Sequence, residues 1–288
     1  MRRAPDRLRL VADRDEPLSL LLQRQGGIAG ELARAAVERG SVFLRGQRER
    51  RPDAPVRKGD RVDATLRAPP SVELTRDCIL HLDELVLAVD KPAGVAAQDD
   101  LAGAASLPAL CSQLLARLGE KQTQALLVHR LDRGTTGVAV LARTRRAQAA
   151  LLEEFREHRP LKEYRALVKG APARPSGEVT TPLEARPART AYEVIERFRA
   201  AAHVRALPLT GRTHQVRLHL RELGCPLLGD RTYDGPAFLT RPDGARIDFA
   251  RPMLHALSLS LRHPSGADLR LLSPTPADFS AALRFLRG

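Results

Sequence analysis

The segment His129-Arg130-Leu131-Asp132-Arg133-Gly134-Thr135-Thr136-Gly137 constrains this chain more than any other. One carboxylate stands between two arginines. The apolar run Ala125-Leu126-Leu127-Val128 precedes it and Val138-Ala139-Val140-Leu141 follows it. This pattern reads as strand, polar turn, strand, with Gly134 and Gly137 permitting a tight turn. An aspartate held beside fixed positive charge stays ionised and can act as a nucleophile. A turn aspartate that merely accepts nearby backbone N–H groups leaves the same local signature, so this segment alone keeps both readings open.

Bulk properties narrow the function classes. A chain of 288 residues has room for one substantial domain and a small one. A hydrophobic content of 43% is normal for a globular protein, and no apolar run approaches the length of a membrane span. The basic amino terminus is followed by charged residues instead of an apolar signal core. Cys78, Cys111 and Cys225 are odd in number and lack C-x-x-C spacing, which reads as reduced thiols of a cytoplasmic protein; a monomer is expected. The net charge of +13 points to a polyanionic partner. Arginine greatly outnumbers lysine, and its forked donors and flat face suit RNA phosphates and bases. A compositionally biased genome also favours arginine, but it does not require so large a positive excess.

Several other chemistries lack their residues. The eight histidines form no H-E-x-x-H and no zinc-type His/Cys cluster. His214 and His219 read as turn and packing residues. Gly211-Arg212-Thr213 is not a phosphate loop, because Ala206 stands where its first glycine belongs and no lysine precedes the threonine. There is no G-x-S-x-G elbow, and no G-x-G-x-x-G follows a strand. Nothing calls for a cofactor or a metal.

The first 67 residues read as a small domain, 68–80 as a linker around Ala68-Pro69-Pro70, and 81–288 as the main domain. The first 70 residues hold 16 Lys and Arg against 10 Asp and Glu. Short helices are expected at Leu18 to Leu22 and Glu31 to Arg39, the second with Leu32, Ala35, Ala36 and Val37 inward. Strands are expected at 41–44 and 61–66. Arg34, Arg39, Arg45 and Arg48 fall where they can share one RNA-facing side; a solvated basic face is the plainer alternative.

In the main domain, strands are expected at Leu85 to Asp90, Ala125 to Val128, Val138 to Ala142, Tyr164 to Lys169, Arg189 to Ile195, Ala202 to Leu209, Leu257 to Leu261 and Leu269 to Leu272. Thr144 is a fair N-cap for a helix to about His158, with Ala147, Ala150, Leu151, Glu154 and Phe155 at helical spacing. A second helix is expected over Val216 to Leu223, with Leu218 and Leu223 inward and Gly224 at its end. Mixed strands and few helices imply an α+β fold with a mainly antiparallel sheet.

Five motifs in order resemble the RluA-type RNA pseudouridine synthases over about residues 85–277. His129 to Gly137 resembles the family's H-R-L-D-x-x-T-S-G motif. Val89-Asp90-Lys91-Pro92-Ala93-Gly94 resembles its K-P-x-G motif, and Lys162-Glu163-Tyr164-Arg165-Ala166 its K-x-Y-x-A segment. Gly211-Arg212-Thr213-His214-Gln215-Val216-Arg217 is similar to G-R-[ST]-H-Q-[IL]-R. Leu228-Gly229-Asp230 with Tyr233, then Leu254-His255-Ala256, follow in the expected order. The helix–helix–strand–strand order of the amino-terminal residues is similar to the αL-motif RNA-binding domain that often precedes this catalytic domain.

The resemblance implies isomerisation of uridine to pseudouridine in RNA, without a cofactor because substrate and product are isomers. Asp132 matches the catalytic aspartate, as nucleophile at the sugar or as an aid to its deprotonation. Arg217 matches the arginine that pairs with it, and Tyr164 the tyrosine at the target base. Arg130 matches an arginine that fills the space left by an extruded base. Arg133, Lys91 and Arg212 would line the RNA groove, and Leu254 would pack against the base pocket. Thr136 stands where serine is usual, Val95-Ala96-Ala97-Gln98 departs from the common continuation of its motif, and the stretch between Leu183 and Arg189 is short. The amino-terminal module favours ribosomal RNA of the large subunit over tRNA as the target. A non-catalytic RNA-binding or ribosome-assembly protein, or a glycosidase, remains the alternative. A glycosidase commonly places a second acidic residue for leaving-group chemistry, and none is evident near these motifs.

Overall fold

The computed structural model describes residues 7–66, 72–97 and 105–288. The chain divides into two compact units, Met1–Glu73 with Gln98–Leu107, and Leu74–Ala97 with Pro108–Gly288. Ala68-Pro69-Pro70, the centre of the expected linker, lies outside the described residues. Its expected end at residue 80 is too late. A 3-10 turn at Arg76–Cys78 leads straight into a strand of the main sheet at Ile79.

The smaller unit contains β1 (Arg7–Val11), β2 (Glu16–Pro17), α1 (Leu18–Arg24), α2 (Gly30–Glu38), β3 (Val42–Leu44), β4 (Gln47–Glu49), β5 (Pro55–Val56) and β6 (Arg61–Thr65). Its sheet runs β1-β6-β3-β4 and is antiparallel throughout. Leu18, Leu21 and Leu22 of α1 and Ala33, Ala36 and Val37 of α2 fill the core with Val42 and Val62. Sequence patterning chose Ala35 where Ala33 is buried; Ala35 is exposed. Both are alanines, so side-chain hydrophobicity could not discriminate the faces. β1 was missed because Arg-Leu-Arg-Leu-Val is only five residues long and its two inward leucines are a short apolar signal.

The larger unit contains β7 (Ile79–Leu82), β8 (Val86–Lys91), α3 (Leu107–Arg117), β9 (Leu126–Leu127), β10 (Thr136–Ala142), α4 (Arg145–Arg156), β11 (Leu161–Lys169), β12 (Ser176–Val179), β13 (Thr190–Arg197), β14 (Ala201–Pro208), α5 (Gln215–Glu222), β15 (Phe238–Thr240), β16 (Arg246–Asp248), β17 (Leu254–Arg262), β18 (Asp268–Leu272) and α6 (Ala277–Arg287). Ten strands form the main sheet in the order β12-β13-β14-β11-β17-β10-β8-β7, with β18 on β17 and β9 on β10. Among the described residues, only the β10–β17 pairing is parallel. The fold is the expected α+β class with a mainly antiparallel sheet. The helices α3 and α6 were not anticipated.

Alternation along β11 sends its side chains to both faces. Ala166 and Val168 pack with Val204 and with Leu220 of α5. Leu167 packs on the other side with Met253 and with Phe279 of α6. A third cluster joins Val138 and Val140 of β10 to Leu151 of α4. Thr144 caps α4 as expected, its Oγ1 accepting from the Ala147 N–H at 3.1 Å. That helix ends at Arg156, two residues early, and Ala150 is exposed. On α5 it is Val216 and Leu220 that are fully buried, while Leu218 and Leu223 are half-buried. Gly224 follows α5 at φ +73°, the left-handed conformation expected of a helix-ending glycine.

The parallel β10–β17 pairing also explains Gly137. It sits at φ +116°, and a Cβ there would lie 2.1 Å from the Ala256 carbonyl oxygen. Only glycine permits this approach, which brings the loop before β10 against the start of β17.

Candidate active site

The loop before β10, the start of β11, the loop before α5 and the first residue of β17 converge on a cleft of about 570 Å³. That size suits a single nucleotide. Asp132, Tyr164, Arg217, Arg130, Arg212 and Leu254 all line it. The central strands deliver two of these to one end of the sheet, Tyr164 on β11 and Leu254 on β17, and Asp132 stands just ahead of β10: Ala166 is opposite Leu254, Tyr164 opposite Ala256, and Thr136 opposite His255.

Asp132 is 17% exposed. Its Oδ2 accepts from Arg217 Nη1 at 3.2 Å, and its Oδ1 lies 3.7 Å from His214 Nε2. Arg217 gives the rest of its fork to Asp230, with Nε and Nη2 donating to the two carboxylate oxygens at 2.7 and 2.8 Å. Its guanidinium lies 4.8 Å from the centre of the Tyr233 ring. The arginine is therefore held from two sides before it reaches Asp132, and it offers that carboxylate a preset positive charge.

Asp230 is the second carboxylate that sequence reading did not find near these motifs. Its side chain is 1% exposed and both its oxygens are taken by Arg217. It orients the cation and is not placed as a leaving-group acid. His214 also proves more than a turn residue. It adopts φ +56° ahead of α5, and its Nδ1 lies 2.7 Å from the Tyr233 hydroxyl. Burial pushes its imidazole below the usual histidine range, against the opposing charge of Asp132. His219 is the buried packing residue expected, between Thr190 Oγ1 and the Thr181 carbonyl.

Gln215 explains why its motif carries a glutamine. It is buried; its Oε1 accepts from the Arg212 N–H at 3.0 Å and the Thr210 hydroxyl at 2.7 Å. Its Nε2 donates to the Arg189 carbonyl at 2.8 Å. One side chain thus satisfies the polar groups of the loop that presents His214 and Arg217. His129 fastens the other loop to β10. Its Nε2 accepts from the Val140 N–H at 2.9 Å and its ring stacks on Phe155. Burial pushes its pKa down to about 4, which keeps that nitrogen free to accept at neutral pH.

Burial, and then the charge of Asp132, push the Tyr164 phenol well above its ordinary value, so it stays a hydroxyl. Lys162, two residues earlier, also lines the cleft; burial pushes its amine down to about 8, and Nζ donates to the Thr210 carbonyl at 3.0 Å. Sequence reading assigned Lys162 no role, and its motif was the only signal.

Lys91 is not in the groove. It is fully buried, and Nζ donates to the carbonyls of Pro92, Val95 and Arg133 at 3.0, 2.9 and 3.3 Å. It ties the loop after β8 to the residue next to Asp132. Arg133 is exposed but does not line the cleft. In the smaller unit, Arg34 and Arg45 are exposed. Arg39 is half-buried instead, its Nη2 donating to Ser41 Oγ and to the carbonyls of Thr65 and Leu66, so it closes the end of α2 onto β6.

Burial, reinforced by the charge of Arg251, lowers the Lys91 pKa to about 7. The unfolded chain therefore binds more protons than the folded one between about pH 7 and the ordinary lysine range, and stability from this group rises with pH across that window. Lys91→Met is expected to destabilise the protein by about 1–3 kcal/mol, because buried carbonyls lose their donor. The gap from the wild type should widen between pH 7 and 9, measured by denaturant unfolding.

The comparisons with known proteins agree with this geometry. Residues 85–222 match the family model described as RNA pseudouridylate synthase. An uncharacterised RNA pseudouridine synthase of Mycobacterium bovis is 34% identical over 93% of this chain and 93% of its own length. The dual-specificity RNA pseudouridine synthase RluA of Escherichia coli is 36% identical over 70% of this chain and 93% of its own. Among solved structures, human RNA pseudouridylate synthase domain containing 4 superposes with a TM-score of 0.61 at 26% identity, covering 73% of this chain and 93% of that one. The fold and the cleft thus define an RNA-modifying isomerase. The chain belongs to the RNA pseudouridine synthases, and within them to the RluA type.

Proposed function

We propose that this enzyme converts specific uridines of large-subunit ribosomal RNA to pseudouridine in the cytoplasm, acting as a monomer with Asp132 as its nucleophile. The observation that carries the reading is the Asp132 carboxylate in a nucleotide-sized cleft, with one oxygen on Arg217 and Arg217 anchored by buried Asp230. In the reaction the N1–C1′ bond breaks, the base turns, and a C5–C1′ bond forms as the C5 proton leaves and N1 gains one. An ionised carboxylate serves either by attacking C1′ or by assisting deprotonation at the sugar, and both routes use Asp132. The target uridine must leave its stack to reach the cleft. Arg130 and Arg212 line the cleft; in this reading Arg130 takes the vacated base position or a phosphate, and Arg212 contacts the RNA in its groove.

The amino-terminal unit, with exposed Arg34 and Arg45, is proposed to act as an αL-type RNA-binding module that adds affinity for a large structured RNA. This module supports the ribosomal target. The direct test is to map pseudouridine across total RNA in cells with and without the gene, and to incubate the purified protein with large-subunit rRNA and tRNA transcripts. Loss of discrete rRNA pseudouridines supports the proposal. Loss confined to tRNA sites overturns the target, and loss at no site overturns the activity.

Tyr164→Phe keeps the ring and removes the hydroxyl. If that hydroxyl moves a proton during base rejoining, the single-turnover rate is expected to fall by about 10²–10⁴-fold with RNA affinity nearly unchanged. An unchanged rate would confine Tyr164 to packing against the base.

A further inference from the structure

At the other end of the main sheet, His81, Asp83 and His263 bring one potential metal-ligating atom each within 4.8 Å of one another. His81 lies on β7 and Asp83 in the turn that follows, two residues apart and so directed to the same side. A register shift between Ile79 and His81 in the β7–β8 pairing re-aims that face. His263 enters from the turn between β17 and β18. The nine-residue β17 starts in the catalytic cleft at Leu254 and ends beside His263, so the cluster lies roughly 25–30 Å from the cleft along the strand.

We propose that these three residues form a binding site for a divalent transition-metal ion such as zinc, which clamps the β7–β8 turn to the β17–β18 turn. His81 and Asp83 share a hydrogen bond that an ion would replace, but the Nε2 atom of the third member is not accounted for by hydrogen bonding. His263 Nε2 lies 3.1 Å from Asp83 Oδ2, yet it is buried without a hydrogen-bond partner, because the ring does not direct that nitrogen at the oxygen. A close approach without alignment is what neighbouring ligands of one ion show: they crowd side by side while their lone pairs meet at a third point. The His81 Nε2 atom lies 2.8 Å from the same carboxylate oxygen. Ligands around a tetrahedral zinc bound at about 2.0–2.2 Å stand about 3.3–3.6 Å apart, so the cluster adjusts by a few tenths of an ångström or more as the ion enters.

The surroundings hold the ligands in place. The other carboxylate oxygen, Asp83 Oδ1, accepts from the Leu85 and Val86 N–H groups at 2.8 Å, which leaves Oδ2 directed to the cluster. His263 Nδ1 lies 2.6 Å from Ser265 Oγ and accepts from the Ser265 N–H at 3.2 Å; when an ion binds, the ring proton moves to Nδ1, with Ser265 Oγ as its acceptor, and Nε2 takes the metal. His81 and Asp83 are 29% and 35% exposed, so water has access to a fourth position. Two imidazoles and one carboxylate suit zinc, cobalt or nickel better than magnesium or calcium.

The test uses the untagged full-length protein, stripped with a chelator and titrated with Zn²⁺ by calorimetry and with Co²⁺ by visible absorption. The expected result is one equivalent of Zn²⁺ bound, a Co²⁺ spectrum of low coordination number, and a melting temperature that rises with zinc concentration. Asp83→Asn, His263→Gln and His81→Gln are each expected to weaken zinc binding by about 100-fold or more, beyond the usual effect of losing an outer partner. His214→Gln is expected to leave the stoichiometry unchanged. His81 is partly exposed, so its variant keeps the test valid if the other two fail to fold. Absence of binding to the wild type, or an equivalent that survives His81→Gln or disappears with His214→Gln, would overturn the site.

Discussion

Asp132→Asn is expected to lower single-turnover isomerisation by at least about 10⁴-fold while RNA affinity changes only a few-fold. The amide has the carboxylate's shape and can still accept from Arg217 Nη1, so the loop need not move. Arg217 is held in place independently by the two bonds to Asp230, so the cation also stays where it is. What disappears is the negative charge that attacks C1′ or assists deprotonation at the sugar. Rapid-quench measurement of pseudouridine, with binding followed separately on the same RNA, resolves the two effects. Normal turnover by the pure Asn variant would remove Asp132 from the chemistry.

Arg217→Met is expected to be the most damaging single change to stability in the cleft, at about 3–5 kcal/mol, or a fall in Tm of roughly 10 °C or more. The reason is the partner it leaves behind. Asp230 is 1% exposed, and both its carboxylate oxygens accept from Arg217, so the variant strands a carboxylate in a low-dielectric interior. The double variant Arg217→Met with Asp230→Asn should recover much of that loss, since no charge is then buried alone. Activity should not recover, because Asp132 still lacks its cation. A double-mutant cycle read by thermal unfolding and by turnover separates the roles. Equal stability of the single and double variants would show that the Arg217–Asp230 pair is not what holds the arginine.

The local part of the site was legible because its signals are short in range. The turn around Asp132, the strands on each side, the glycine at 137, the Thr144 cap and the Gly224 helix end all follow from neighbours a few residues away. Five motifs in order then carried the family, the activity and the pairing of Asp132 with Arg217. The motif could also name Gln215 and His129 without explaining them. Gln215 satisfies loop N–H and carbonyl groups, and His129 a strand N–H, whose need for a partner the sequence does not show.

Burial and long-range pairing were decided only by the tertiary structure. Lys91 looks like a groove lysine because lysines are usually exposed, but the three carbonyls that receive its ammonium come together only when the loops after β8 and before β10 meet. Asp230 is 98 residues beyond Asp132 and reaches it only through Arg217, so no spacing rule could assign it as the orienting anion. Arg39 belongs to the fold for the same reason, since its partners Thr65 and Leu66 sit on the far side of the sheet in sequence. His81, Asp83 and His263 converge because β7 and the β17–β18 turn lie at one end of a folded sheet, although 180 residues separate the last two. The sequence by itself determined which residue types stand at each motif and hence the chemistry available. Which of them face the cleft, which are buried to hold it, and which charges meet depended on packing, because a side chain's partners are set by three-dimensional contact and not by distance along the chain.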